Sequence, residues 1–255
     1  MKDLTIHASD GEIGSVAEFY FDDETWAIRY LIVKTGGWLS GRLLLISPVF
    51  LRQADWKTRR LQVALTKKQI EKSPEIDTHK PVSRQHEAEY MDYFGSSYYW
   101  GGSDLWGAGP YPAALAGVAI PIHARMSTAE PEWEDSHLRS TTEVTGYRIE
   151  ATDGELGHVE DFIVDPDTWS IRYLEVSTRN WLPGKKVLVS PEWIDTVSWT
   201  DSKVCVDLPR EIIKSAPEYM ESSPLTREYE NQLHEYYDRL PYWLREIGHA
   251  HVRRD

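Results

Sequence analysis

Two arginines stand at matching places in two otherwise apolar runs, Ile28-Arg29-Tyr30-Leu31 and Ile171-Arg172-Tyr173-Leu174. A guanidinium in such a run needs a partner, because a buried charge left unpaired is costly. Two carboxylate pairs recur with them, Glu12 with Glu155 and Asp22 with Asp165. The structural expectation is an ion pair at the rim of a small barrel; the alternative is a site where each Arg receives a ligand carboxylate. The acidic turns Asp22-Asp23-Glu24 and Asp165-Pro166-Asp167 resemble cation ligands only superficially. A calcium loop needs stepped oxygen ligands and a Gly at the bend, and Pro166 interrupts that pattern, so plain hairpin turns are expected. His249-Ala250-His251 lies near a chain end and is expected to be solvated. Gly101-Gly102-Ser103-Asp104 lacks the Lys-Ser/Thr of a phosphate loop. Cys205, the lone cysteine, alternates with Val204 and Val206 on a strand and is expected to be structural. The chain has no Gly-x-Ser-x-Gly, His-Glu-x-x-His or Cys-x-x-Cys. No catalytic residue, metal site or cofactor is therefore expected, and the chain is read as non-enzymatic.

The elements that position these residues are duplicated. Residues 2–100 recur without a gap as 145–243, with an offset of 143. About a third of the paired positions are identical, and an internal period of this size marks a repeated domain. Asp10-Gly11-Glu12 and Asp153-Gly154-Glu155 predict tight hairpin turns. Gly14 and Gly157 predict a bulge or a close backbone approach. Val16–Phe21, Trp26–Val33, Arg42–Ile46, Val49–Asp55 and Arg60–Ala64, with the first strand Thr5–Ala8, give about six short strands, and the second copy repeats them. A helical turn follows (Thr66–Lys72, Pro209–Ser215), and then a capped helix. Ser83 and Thr226 are the N-caps, with Glu87 and Glu230 in the first turn. Both helices lead into rings, ending in Tyr99-Trp100 and Tyr242-Trp243. These rings are expected to cover a barrel, their own or the sister copy's. Trp26, Trp38 and Trp56, repeated as Trp169, Trp181 and Trp199, are expected to pack each core.

Composition narrows the function. The net charge of −13 divides as −1 over residues 1–100, −4 over 101–143 and −8 over 144–255. Nucleic-acid binding leaves a basic footprint, and neither half has one. No run approaches the roughly 18 apolar residues of a membrane span, and the amino-terminal residues do not resemble a signal peptide. A single cysteine fits a reducing compartment, so a cytoplasmic location is expected.

The run Gly-Glu-[Ile/Leu]-Gly-x-Val-x-[Glu/Asp]-Phe, then Trp-x-Ile-Arg-Tyr-Leu-x-Val and Leu-[Ile/Val]-Ser-Pro, resembles the PRC-barrel family. That small barrel occurs in the cytoplasmic part of the photosynthetic reaction-centre H subunit and at the carboxyl end of the ribosome maturation factor. The resemblance covers residues 2–72 and 145–215, with Asp3 standing where copy two has the leading Gly146. It implies a mainly β chain of two tandem six-stranded barrels, each followed by a short Tyr-rich helical extension. Its domains would be residues 1–100, a Gly/Pro-rich then acidic linker at 101–143, residues 144–243 and a tail at 244–255. It also implies protein docking or assembly, with no catalytic residues to carry over. The expected partner is a protein or a second copy of the chain, with no nucleic acid and no membrane span. A small-ligand or metal-binding sensor, or an unrecognised small-molecule hydrolase, stands as the alternative.

Overall fold

The computed structural model describes residues 4–39, 41–74, 82–115, 137–178, 185–222 and 224–244. His249 and His251 lie outside them, as does Trp181. The chain forms two compact units, Met1–Val144 with Phe162–Arg172, and Thr145–Asp161 with Tyr173–Asp255. The division does not follow the repeat, because the end of one copy-two hairpin clusters with the first unit.

The first sheet contains β1 (Thr5–Ala8), β2 (Gly11–Asp22), β3 (Ile28–Thr35), β4 (Leu43–Ile46), β5 (Leu51–Asp55) and β6 (Arg60–Val63). Their order is β4-β3-β2-β1-β6-β5, antiparallel except for β1 beside β6. A further strand, β7 (Leu138–Ser140), pairs with β2 through Tyr20–Ser140 and Asp22–Leu138. The second copy supplies β8 (Arg148–Ala151), β9 (Gly154–Val164), β10 (Ile171–Ser177), β11 (Lys186–Val189), β12 (Ile194–Ser198) and β13 (Lys203–Val206). Their order, β11-β10-β9-β8-β13-β12, repeats the first. The duplicated register therefore carries a duplicated topology. Short helices α1 (Lys67–Glu71) and α4 (Arg210–Ser215) follow the sheets, α3 (Thr141–Val144) follows β7, and α2 (Arg84–Phe94) and α5 (Arg227–Tyr236) are the longer extensions.

Local chemistry explains the joints. The β1–β2 turn sits at Ser9-Asp10, one residue before the expected Asp-Gly, and only Gly11 takes a positive φ, 136°. Gly14 and Gly157 fulfil the close approach read from the sequence: a Cβ at either would collide with the carbonyl of Lys34 or Ser177. Ser83 accepts from the His86 amide and Thr226 from the Tyr229 amide, as N-caps do. α2 ends on Gly95 in the left-handed region, and Asp238 takes the matching conformation after α5.

β3 is buried on both faces except at Lys34. α2 helps to cover it, through Tyr30 edge-on to Tyr90 at 5.4 Å. Tyr90 in turn donates to the Leu45 carbonyl and accepts from the Ser47 amide. Two expected core rings fall outside this packing. Trp38 lies at the surface, its indole donating to the Ile13 carbonyl, and Trp56 caps the exposed β5–β6 turn. The residues of the Trp56 turn are exposed throughout, whatever the recurrence of Trp56 in sequence. The stretch expected to be a spacer instead supplies a core residue, because Trp106 is fully buried.

Candidate functional site

Arg29 is 2 % exposed. Its guanidinium donates to the Leu105 carbonyl at 2.7 Å and to Thr25 Oγ1 at 3.1 Å, and lies 3.7 Å from the Asp22 carboxylate. It stacks over the Tyr99 ring at 3.9 Å and reaches the Trp106 ring at 4.8 Å. Burial lowers its pKa, against the opposing pull of Tyr99, Asp22 and Glu87. Asp22 also accepts from the Glu24 and Thr25 amides, so one carboxylate closes the turn and faces the arginine.

Arg172 binds its carboxylate more directly. Its Nε and Nη2 donate to Asp165 Oδ2 at 3.1 and 2.8 Å, and Nη2 also reaches Thr168 Oγ1 at 3.3 Å. Asp165 closes its own turn through the Asp167 and Thr168 amides. Glu12 and Glu155, the other candidate carboxylates, occupy exposed strand positions opposite His7 and Glu150. The paired carboxylate is thus the one in the turn.

Burial by itself would raise the Asp165 carboxyl pKa. The Arg172 hydrogen bond, the two turn amides and the Arg172 charge outweigh it and hold the pKa below the ordinary value. A folded-state value below the unfolded one stabilises above about pH 4, and that contribution fades as pH falls through the folded value. Arg172→Ala should therefore lower stability at neutral pH by about 1–3 kcal/mol and flatten its decline in acid. Exposed Arg148, whose guanidinium meets the Asp201 carbonyl at 3.5 Å, should lose less than about 1 kcal/mol as Arg148→Ala. Urea midpoints at pH 7 and pH 3.5 check both, and equal small shifts would refute the paired role.

A second constellation forms around the helical extensions; the sequence singles out its Tyr-Trp ends but not the charged groups and histidines that meet them. Glu87, fully buried, accepts from the Tyr99 hydroxyl at 2.7 Å. Its other oxygen lies 3.3 Å from Arg84 and 3.1 Å from His137 Nε2. Arg84 donates to the Tyr99 hydroxyl and lies over the Trp100 ring at 4.4 Å. In copy two Glu230 accepts from both Tyr173 and Tyr242, each at 3.1 Å, and pairs with Arg227 at 3.1 Å. Arg227 lies over the Trp243 ring at 4.0 Å. The Tyr-Trp ends thus pack on the helix of their own copy.

Each cluster also holds one histidine, from a different place. His234 in α5 stands where copy one has Met91, and its Nε2 lies 2.9 Å from the Tyr173 hydroxyl. His137, just before β7, meets the Tyr99 hydroxyl at 2.9 Å. Burial, then the nearby Glu, raises the Tyr99, Tyr30 and Tyr173 hydroxyl pKa values above the ordinary phenol. Glu, Tyr and His could exchange protons, yet Glu87, Tyr30 and Tyr99 are closed off from solvent. The arrangement fastens each extension to its sheet. The available signal was the recurrence of Tyr30, Arg84, Glu87 and Tyr99 at the offset of 143.

Within the first compact unit the two hairpin turns meet reciprocally. The Ile28 amide donates to the Trp169 carbonyl and the Ile171 amide to the Trp26 carbonyl, both at 2.8 Å. Trp26 and Trp169 hold positive φ, 56° and 60°. Strain of this kind persists only where the surroundings fix it, and here each carbonyl is taken by an amide of the other copy.

No curated protein matches the chain. The family model described as PRC-barrel domain matches it twice, over residues 3–70 and 139–212.

Proposed function

Since the chain belongs to the PRC-barrel family through both of its copies, we propose that it is a non-enzymatic, cytoplasmic docking or assembly module. Each six-stranded sheet takes the role of the family's small closed barrel. The match itself and the parallel β1–β6 and β8–β13 pairings, which bring late strands back beside the first, support that reading.

The observation that carries the docking role is a difference between the copies. Around the end of α5, Ile212, Leu240 and Leu244 are 40, 53 and 48 % exposed. Copy one has Gln69, Ser97 and Gly101 at those positions. Tyr236 stands with them, its hydroxyl donating to the Ile212 carbonyl. Glu211, Glu235 and Asp238 adjoin these residues in sequence and are exposed, with Arg239 between Asp238 and Leu240, in the half of the chain with net charge −8. Exposed apolar side chains rimmed by polar, here mostly acidic, residues mark a contact surface. The partner that fits is a protein with an apolar face bordered by Lys and Arg.

An amphipathic peptide with Leu on one face and Lys on the other is a suitable probe. The full chain should bind it, and Ile212→Ser with Leu240→Ser should weaken binding about tenfold or more at an unchanged melting midpoint. Equal affinity for both proteins by calorimetry would refute this surface.

A further inference from the structure

The outer face of β1, β6 and β5 carries a polar groove of about 260 Å³, lined by His7, Gln53, Asp55, Arg60, Leu61 and Gln62. Strand register explains the lining. Gln62 pairs with His7 on one side and Gln53 on the other, and Arg60 lies opposite Asp55. The side chains at 60 and 62 share a face because strand residues alternate. Among the described residues no hydrogen bond or ion pair takes up the side chains of Gln53, Arg60 or Gln62, although the Arg60 charge acts on the Asp55 carboxylate across the strand pair. Arg60 forms no ion pair among the described residues, while Asp55 accepts from the Lys57 and Thr58 amides of its own turn. His7 Nε2 has no hydrogen-bond partner among the described residues.

Copy two has neutralised the same face. Glu150 replaces His7 and Lys203 replaces Arg60, and these two form an ion pair with each other. Thr196, Ser198 and Cys205 replace Gln53, Asp55 and Gln62. Residues 51–62 carry a net charge of +3, whereas the matching residues 194–205 carry −1. A locally basic hairpin with an exposed Trp56 at its tip thus stands in a chain of net charge −13.

We propose that this groove of copy one binds a carboxylate, held by the Arg60 guanidinium with the Gln53 and Gln62 amides and His7 alongside. Arginine presents a planar fork that matches a carboxylate in two-pronged geometry. The two glutamine amides each offer a donor and an acceptor, which suits a carboxylate that belongs to a peptide or to a small polar molecule. This surface is separate in residues and in charge from the apolar one around α5, so either proposal can fail without the other.

Titration of the isotopically labelled full chain by NMR, with glutarate and separately with an extended Glu-rich peptide, tests the site. The Gln53 and Gln62 side-chain amides and Arg60 Nε should shift on titration. Arg60→Gln should weaken binding at least tenfold, while Lys203→Gln should leave it unchanged. A response to the peptide alone assigns the carboxylate to a protein partner, and a response to glutarate as well assigns it to a small molecule. Arg60 and Gln62 are exposed strand residues, so their variants report binding with little effect on folding. Three results would overturn the proposal: no shift with either probe, unchanged affinity in Arg60→Gln, or a response of these residues only to single-stranded DNA or anionic vesicles.

Discussion

Trp106→Ala should destabilise the first compact unit by about 3–5 kcal/mol, the range for deleting a fully buried large ring. Trp106 is completely shielded, sits 6.3 Å from the Tyr99 ring, and donates its indole N–H to the Thr168 carbonyl at 2.8 Å. Truncation would leave a cavity, an orphaned carbonyl and one open side of the Arg29 guanidinium. That guanidinium is tolerated in the interior because Leu105, Thr25, Asp22 and two rings enclose it. Losing the ring wall admits water to a charge whose surroundings were built without it. Trp56→Ala, at an exposed turn, should change stability by less than about 0.5 kcal/mol. Urea unfolding followed by far-ultraviolet circular dichroism measures both. Similar losses for the two variants would mean that residues 101–115 only drape over the sheet.

This contrast shows where the sequence is legible. The strands, the Ser83 and Thr226 caps and the duplicated order follow from local rules: alternation, capping chemistry and a gap-free register that forces one topology on both copies. The glycines at 14 and 157 are legible for the same reason, since a missing Cβ has a local meaning. Tertiary roles are harder to read. Trp38, Trp56 and Trp106 are the same residue type, and the two that recur with the repeat are exposed while the one in the Gly/Ala/Pro-rich stretch is buried. Recurrence records descent, whereas burial depends on what lies opposite. Glu87 and Glu230 illustrate the same limit. Their first-turn position suits a helix N-terminus, and that reading hides a second task visible only when Tyr99 and Tyr242 fold back onto the helices. Arg29 and Arg172 lie between these cases. The need for a partner was readable from an Arg in an apolar run, but the choice of Asp22 and Asp165 over Glu12 and Glu155 depends on a turn bringing the former close.

Glu87→Ala should lower stability by about 3–5 kcal/mol, the loss typical when one member of a buried charged cluster is removed. The carboxylate is fully enclosed; the Tyr99 hydroxyl donates to one oxygen, and Arg84 and His137 Nε2 lie 3.3 and 3.1 Å from the other. Without it, Arg84 keeps its stacking on Trp100 and its bond to the Tyr99 hydroxyl, but its charge loses the carboxylate it faces. Glu87→Gln keeps an oxygen acceptor of the same shape and should lose about 1–3 kcal/mol. Replacing both charges, Arg84→Met with Glu87→Met, should recover part of the loss seen for Glu87→Ala, because no ion is then left unpaired. Glu230→Ala should act in the same direction in copy two, where Tyr173, Tyr242 and Arg227 converge on one carboxylate. Amide hydrogen exchange would separate the copies, with Glu87→Ala exposing α2 and Glu230→Ala exposing α5. If Glu87→Ala loses less than about 1 kcal/mol, or the double Met variant is no more stable than Glu87→Ala, the carboxylate is a bystander and apolar packing alone holds the extension to its sheet.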